Sequence, residues 1–489
     1  MVNKAWGFMV VLIILVGFTG LANTVSNAEN PIATNSKPLA GDKFMTIAGA
    51  GKKDGSDWAN AFAGNKVGGL QAAWEATGPS GTLYIGSGVY GVAQTLNITT
   101  ANDGVDQNGR KTIQGVDIGN GLPIFKGLYS LGNSDKTYFI TVESGASYWQ
   151  LKDFKVTNYF IVLFTNGKNV SYRIYNLDAS YIGDGLFLKG GGSLITREQA
   201  LKKQYSIDGS HDIVIEDCDF DHYAKRGIRF RDGNYNAVVR RCTGDGGGPA
   251  YWHPDNFQMT IQVADSTQIN GWKKDAVTYD YNIEIYDCVA KNNYTEVNTG
   301  SQYWNGDGFC TEFASDNIKF YRCVALESTD GGWDCKSKNI YLYDCVAVGN
   351  KRGFRFWSEE RAELNNCIAI NSYSHGGNIT HTGVWASSPY GDFGACKLTL
   401  NRCTIFNNQG PQVQNEGSAT ITLNDCIIGV DKFVEELYSG NIIKNNCAEY
   451  SGVQGTNPRF VNPVSNWDGV GTNWNSQTYG KNKGYYQSM

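Results

Sequence analysis

Apolar residues recur at every second position over short stretches of this chain. Ile283-Glu284-Ile285, Ile340-Tyr341-Leu342 and Leu398-Thr399-Leu400 each alternate, the pattern of a strand that turns one face inward. Beyond each lies a second short apolar run, such as Val289-Ala290 or Val346-Ala347. Turn residues and a third run follow, such as Gly353-Phe354-Arg355-Phe356. Between the first and second runs sits a cysteine. Cys218, Cys242, Cys288, Cys323, Cys345, Cys367, Cys403, Cys426 and Cys447 share this phase. Many successive members lie about 22 residues apart, a period of the kind that repeat architectures show. The step from Cys242 to Cys288 holds two periods, and the steps to Cys323 and Cys403 each hold an insertion.

Three short strands in one period leave no room for a helix, and the leucine-asparagine pattern of leucine-rich repeats is missing. The expected fold is therefore all-β, a right-handed parallel β-helix solenoid whose coils stack at the strand spacing of roughly 4.8 Å. Residues of equal phase then lie above one another. The nine cysteines are expected to form an interior column of small apolar thiols, with one or two disulfides as the alternative in an exported protein. No CxxC pair is present, which argues against a zinc site. Asn293, Asn350 and Asn408 each follow a register cysteine by five positions and predict a stacked turn ladder.

The two ends read differently. Lys4, the apolar run from Phe8 to Phe18 and the small residues around Ser26-Asn27-Ala28 predict a signal peptide over residues 1–28 and a secreted protein. No other segment is apolar enough to span a membrane. Residues 29–489 are expected to form a single domain, since solenoids grow by adding coils. Trp58, Phe62, Leu70, Ala73 and Trp74 lie at roughly helical spacing between Asp57 and Thr77, which predicts a short helix capping the N-terminal end of the stack. Gly81–Ile85 reads as a first strand. From about residue 463 the register is lost and an irregular stretch is expected.

Charge and composition narrow the partners. With 42 basic and 47 acidic residues and no basic run, the chain lacks the electrostatic footprint of a nucleic-acid binder. Gly190-Gly191-Gly192 and Gly246-Gly247-Gly248 lack the context of a phosphate-binding loop and read as turns. Aromatic residues make up 13% of the chain, which suits a carbohydrate partner. A single stack of coils is expected to meet that carbohydrate as a monomer.

The densest polar constellation spans three consecutive coils: Asp307-Gly308-Phe309, then Asp330-Gly331-Gly332-Trp333-Asp334, then Arg352-Gly353-Phe354-Arg355. Equal phase would bring Asp307, Asp330 and Asp334 onto one patch with a cation one coil further on. Clustered carboxylate oxygens suit Ca²⁺; a solvated ladder or a salt bridge from Asp334 to Arg355 is the plain alternative. Arg226 and Arg229 echo the Arg352–Arg355 segment. His253, Asp255 and Gln258 fall in the coil between. These residues, with Arg352, are candidates for contacting substrate carboxylates or hydroxyls.

Over roughly Asp212 to Asn408 these segments resemble the family 9 polysaccharide lyases, pectate lyases and relatives built on a right-handed parallel β-helix. The resemblance implies that Asp307, Asp330 and Asp334 bind calcium, that the partner is an acidic polysaccharide substrate, and that the reaction is β-elimination from a uronate. Two positions depart from the family pattern. Gly331 stands where the family has a second adjacent aspartate, and Arg355 stands where it has its catalytic lysine. Arg355 is the first candidate for the base, followed by Lys336 and Lys338. A β-helix glycoside hydrolase using paired acids and a non-catalytic carbohydrate-binding solenoid remain as other readings.

Overall fold

The computed structural model describes residues 39–253, 256–265, 276–296, 304–358, 360–376, 381–387, 395–430 and 441–451. Thirty-five strands join in one hydrogen-bonded system among these residues. Every pairing in it is parallel, as between Asn234–Arg240 and Asp280–Tyr286 or Gly331–Cys335 and Arg352–Phe356. The expected all-β architecture, a parallel β-helix consistent with right-handed winding, is what forms. The predicted signal peptide, the stretch from residue 463 and Asp255 lie outside the described residues. Among those described, no helix is long and apolar enough to cross a membrane.

Each coil in the regular part has three strands, so the solenoid has three walls. The first wall runs from Ser210–Glu216 through Ser315–Tyr321 and Asn339–Tyr343 to Asn441–Asn445. The second carries the three-residue strands Val289–Lys291, Val324–Leu326, Val346–Val348 and Ile368–Ile370. The third holds Met259–Val263, Asp307–Thr311, Gly331–Cys335, Arg352–Phe356 and Thr382–Ser387. Inward side chains of successive coils stack and exclude water; outward ones form ladders, such as the rings of Tyr286, Tyr321 and Tyr343 at 4.6 and 5.0 Å.

The cysteine register marks the corner between the first and second walls. The residue before each of the nine cysteines, from Asp217 to Asn446, has a φ between 52° and 56°. This left-handed turn swings the chain through the corner, and Asp and Asn tolerate it best. Arginines at the same position find partners one coil away: Arg241 Nε donates to Asp217 Oδ1 at 2.7 Å and Arg322 Nε to Asp287 Oδ1 at 2.6 Å. The thiols point inward and eight of the nine are buried. They contact carbonyls of the coil before, as Cys323 Sγ does with Ile285 O at 3.5 Å. No disulfide occurs among the described residues, so the column is a packed core ladder, as the spacing predicts.

The asparagine ladder expected at the next corner forms only in part. Ser328 and Ser372 interleave with Asn350 and Asn408, and Asn293 instead accepts from the Tyr223 hydroxyl at 2.6 Å and donates to Thr260 Oγ1 at 3.1 Å. Asn350 is fully buried; its Oδ1 accepts from Ser328 N at 2.9 Å and its Nδ2 donates to Ala325 O at 2.9 Å. Asn408 repeats both contacts with Ser372 N and Ala369 O. Replacing Asn350 by alanine strands a buried amide and a buried carbonyl, and should cost about 1–3 kcal/mol, read as a lower urea midpoint at unchanged slope.

Two local expectations need correction. The helix expected over Asp57–Thr77 is confined to Gly69–Ala76, where Leu70, Ala73 and Trp74 are buried. Trp58 lies in a 3-10 turn and Phe62 in a two-residue strand, because Gly68, with φ 71°, starts the helix late. The first strand is Lys43–Thr46, which pairs with Thr82–Gly86. A further short helix, Arg197–Leu201, sits in an insertion after the Gly190 turn and is closed by a capping box between Thr196 and Gln199.

Candidate active site

The third wall gathers the charged motif. Two outward columns run along it. One aligns Arg226, Met259 and Asp307 and continues through Gly331, whose amide meets the Asp307 carboxylate, to Arg352. The other aligns Arg229, Gln262, Cys310, Asp334, Arg355 and Trp385. Asp307, Asp334 and Arg355 thus share a wall, as the phase of the repeat predicts. The glycine that follows Asp307 serves packing: a Cβ on Gly308 would lie 3.0 Å from the Ala325 Cβ and 3.2 Å from the Ala290 Cβ of the second wall. This lets Phe309, Trp333 and Phe354 stack inward, with ring centroids 4.9 and 4.8 Å apart, and fixes the height of the charged residues beside them.

The three aspartates differ in environment. Asp330 is fully buried. Its Oδ1 is bound by Arg352 Nη1 and its Oδ2 by Arg355 Nη1 at 2.8 Å. A carboxylate held by two guanidinium groups is neutralised by them, so the expectation that Asp330 ligates a cation is corrected. Asp307 is also fully buried. Its Oδ1 accepts from Gly331 N at 2.7 Å, while Oδ2 has no hydrogen-bond partner among the described residues. Asp334 Oδ2 accepts from Lys336 Nζ at 2.6 Å and lies 3.6 Å from Arg355 Nη1, while its Oδ1 is buried and equally unpartnered. Burial, then the charges of Asp334 and Asp330, push the Asp307 carboxyl well above the usual carboxylate range.

An unpartnered buried carboxylate oxygen is costly, and two of them facing one space suit a cation. Ligand atoms of Asp307, Asp334 and Cys310 lie within 4.8 Å of one another. Asp307 and Asp334 fit a hard oxygen-seeking ion such as Ca²⁺, which would draw its remaining ligands from water or substrate. Cys310 was missed in the sequence because it lies outside the nine-cysteine register. Its signal is its phase, one coil before Asp334.

The cations also divide. Arg355 carries its guanidinium 4.7 Å from the Trp357 ring and 5.3 Å from the Trp385 ring. Lys336 Nζ bridges Asp334 and Glu312 Oε1, the latter at 3.2 Å. Burial opposes its charge, but Asp334 and Glu312 hold the ammonium well above its ordinary value. Lys338 is corrected: it is 2% exposed, and Nζ donates to Ala200 O of the inserted helix at 3.0 Å and pairs with Glu360. Lys351, directly before Arg352, was not singled out in the sequence. Burial holds its amine below the ordinary value, against the pull of Asp330 and with the push of Arg352 and Arg355.

The remaining candidates scatter. Arg226 Nε donates to Gln262 Oε1 at 2.8 Å. Arg229 binds Asp265 and lies 4.5 Å over the Phe187 ring; burial pushes it down to about 10. Gln258 is corrected: it is fully buried, and its amide is spent on backbone, donating to Tyr223 O and Gly246 O at 2.9 Å and accepting from Tyr294 N at 2.7 Å. His253 is half-buried and lines a separate cleft on this side of the molecule.

No family model and no curated protein matches the chain. Solved structures do. The crystal structure of pectate lyase Pel9A is 14% identical, with 88% of this chain and 86% of that chain covered and a TM-score of 0.40. A mannuronic acid specific polysaccharide family 6 lyase from human gut microbiota is 10% identical, with 82% of each chain covered and a TM-score of 0.43. The catalytic domain of a GH87 alpha-1,3-glucanase is 10% identical, with 86% and 68% covered and a TM-score of 0.49. None of these likenesses carries the chemistry, which has to be argued from the side chains.

Proposed function

We propose that this protein is an exported polysaccharide lyase that cleaves a uronate-containing polymer, pectate-like by family default, by β-elimination. The observation that supports this reading is the pair of buried, unpartnered carboxylate oxygens on Asp307 and Asp334 beside the Arg352–Asp330–Arg355 cluster. In β-elimination the uronate loses the proton on C5, next to its carboxylate; the C4–C5 double bond then forms as the C4–O bond breaks, and the departing sugar oxygen takes a proton from water. That proton is weakly acidic, so the enolate-like charge must be stabilised as it forms. Asp307 and Asp334 would hold Ca²⁺, which supplies a positive charge for the sugar carboxylate when bound.

The chain's own groups supply the rest. Arg352 neutralises Asp330, so that carboxylate does not repel the anionic substrate. Arg355 sits on the outward column next to Asp334 and is the group assigned to take the C5 proton. Arginine is a poor base in solution, with a pKa above about 12, so its charge must be disfavoured in the complex. Arg355 and Lys336 are each paired with two carboxylates, so the ranking rests on position: Arg355 stands where the family has its base, and Lys351 is fully buried.

A hydrolase reading has one specific support. Burial and the neighbouring carboxylates favour the protonated form of Asp307, the direction a general acid opposite Asp334 would need. A panel of acidic polysaccharides, assayed for ultraviolet absorbance and for reducing ends with and without a chelator, separates the readings. A lyase gives both signals, with chelator suppressing them and Ca²⁺ restoring them. Reducing ends without absorbance indicate hydrolysis, and binding without product indicates a non-catalytic solenoid; either result overturns the proposal.

A further inference from the structure

A second concentration of chemistry lies where the chain turns into the third wall, nearer the N-terminus. A cleft of about 300 Å³ is lined by Tyr129, Phe160, Lys136, Lys225, His253 and Asn256, among others. Lys136 Nζ lies 4.2 Å from the Phe160 ring centroid and Lys225 Nζ 5.7 Å from it. The Tyr129 ring stands 5.7 Å from Phe160. No acidic side chain lines the cleft among the described residues. An aromatic floor braced by two ammonium groups matches a sugar ring that carries a negative charge: the ring packs on the apolar surface and the anion meets the cations.

The strand register ties the cleft to the candidate active site. Ile161, Asp184, Arg226, Met259 and Asp307 are partners on successive coils. Phe160 and Lys225 each directly precede a member of that column. Lys225 therefore stands two coils from the Asp307 level, about 10 Å at the strand spacing. A short oligosaccharide bridges that gap and a single sugar does not.

We propose that this cleft is a distal subsite for an anionic sugar of the same polymer, with its carboxylate held between Lys136 and Lys225 and its ring against the half-buried Phe160, which the buried Tyr129 backs. The polymer's identity rests on the lyase reading; the preference for negative charge rests on the cleft alone. The test is calorimetric binding of uronate oligosaccharides of increasing length to the full chain and to Lys136→Ala, Lys225→Ala and the double variant. Each single change is expected to weaken binding of long oligomers by about tenfold or more and to leave the shortest ones unchanged. Lys225→Arg should retain binding, and added salt should reproduce the loss. Lys136 is exposed and Lys225 half-buried, so the thermal transition should stay in place. Wild-type affinity of the double variant for long oligomers overturns the proposal, as does equal loss for long and short ones. If the polymer is cleaved without unsaturated ends while the variants still lose binding to it, the lyase reading fails and the subsite stands.

Discussion

Replacing Arg355 by alanine is expected to lower kcat on the acidic polymer by about 10²- to 10⁴-fold, the range for losing a positioned acid–base group. The fold should survive, because Asp330 keeps Arg352 and Asp334 keeps Lys336 as a partner. An unchanged thermal transition checks this. Arg355→Lys distinguishes the roles Arg355 could play. A lysine has an ordinary pKa near 10.4 and gives up its proton more readily than a guanidinium, so a base at this position should work as well or better. A charge clamp that depends on the planar fork should instead be damaged by the same change. Lys351→Met is the control: Lys351 is buried behind the cluster, and a loss there comparable to that of Arg355→Ala would move the base to Lys351. Full activity in Arg355→Ala would remove Arg355 from the chemistry altogether.

The parts of this structure that follow from period alone were legible in the sequence. Equal phase on a stacked coil is a geometric constraint, so the cysteine column and the alignment of Asp307, Asp334 and Arg355 both follow from residue spacing. Phase says nothing, however, about which way a side chain turns where the strand meets a corner. Gln258 occupies a phase next to the Asp307 column, yet its amide turns inward to satisfy backbone groups. Asp330 has the phase of a ligand, but its two oxygens are claimed by arginines one coil on. Lys338 was out of reach for another reason. Its partner Ala200 lies on an inserted helix 138 residues earlier, and no repeat pattern encodes a contact made by an insertion. Cys310 lies off the cysteine register and Lys351 directly before an arginine of the motif, so neither position carries a periodic signal of its own.

Trp333→Ala is expected to produce the largest loss of stability. The indole is fully buried and lies between the rings of Phe309 and Phe354 at 4.9 and 4.8 Å, with Phe320 edge-on at 6.2 Å. Truncation removes the largest side chain of this ring column and opens a cavity that a stack of rigid coils cannot close, at a cost of about 3–5 kcal/mol. Because each coil rests only on its neighbours, the damage should concentrate on the turns that carry Asp307, Asp334 and Arg355, and activity should fall with stability. Trp333→Phe separates packing from polarity. Trp333 Nε1 is buried with no partner among the described residues, and an unsatisfied donor costs about 1–3 kcal/mol. Phenylalanine keeps a ring in the stack and deletes that donor, so the gain offsets much of the lost apolar area and the variant should lie close to wild type. Urea denaturation at constant slope provides both numbers. A loss below about 1 kcal/mol for alanine, or equal losses for alanine and phenylalanine, would mean that the interior ring column does not set the height of the charged residues beside it.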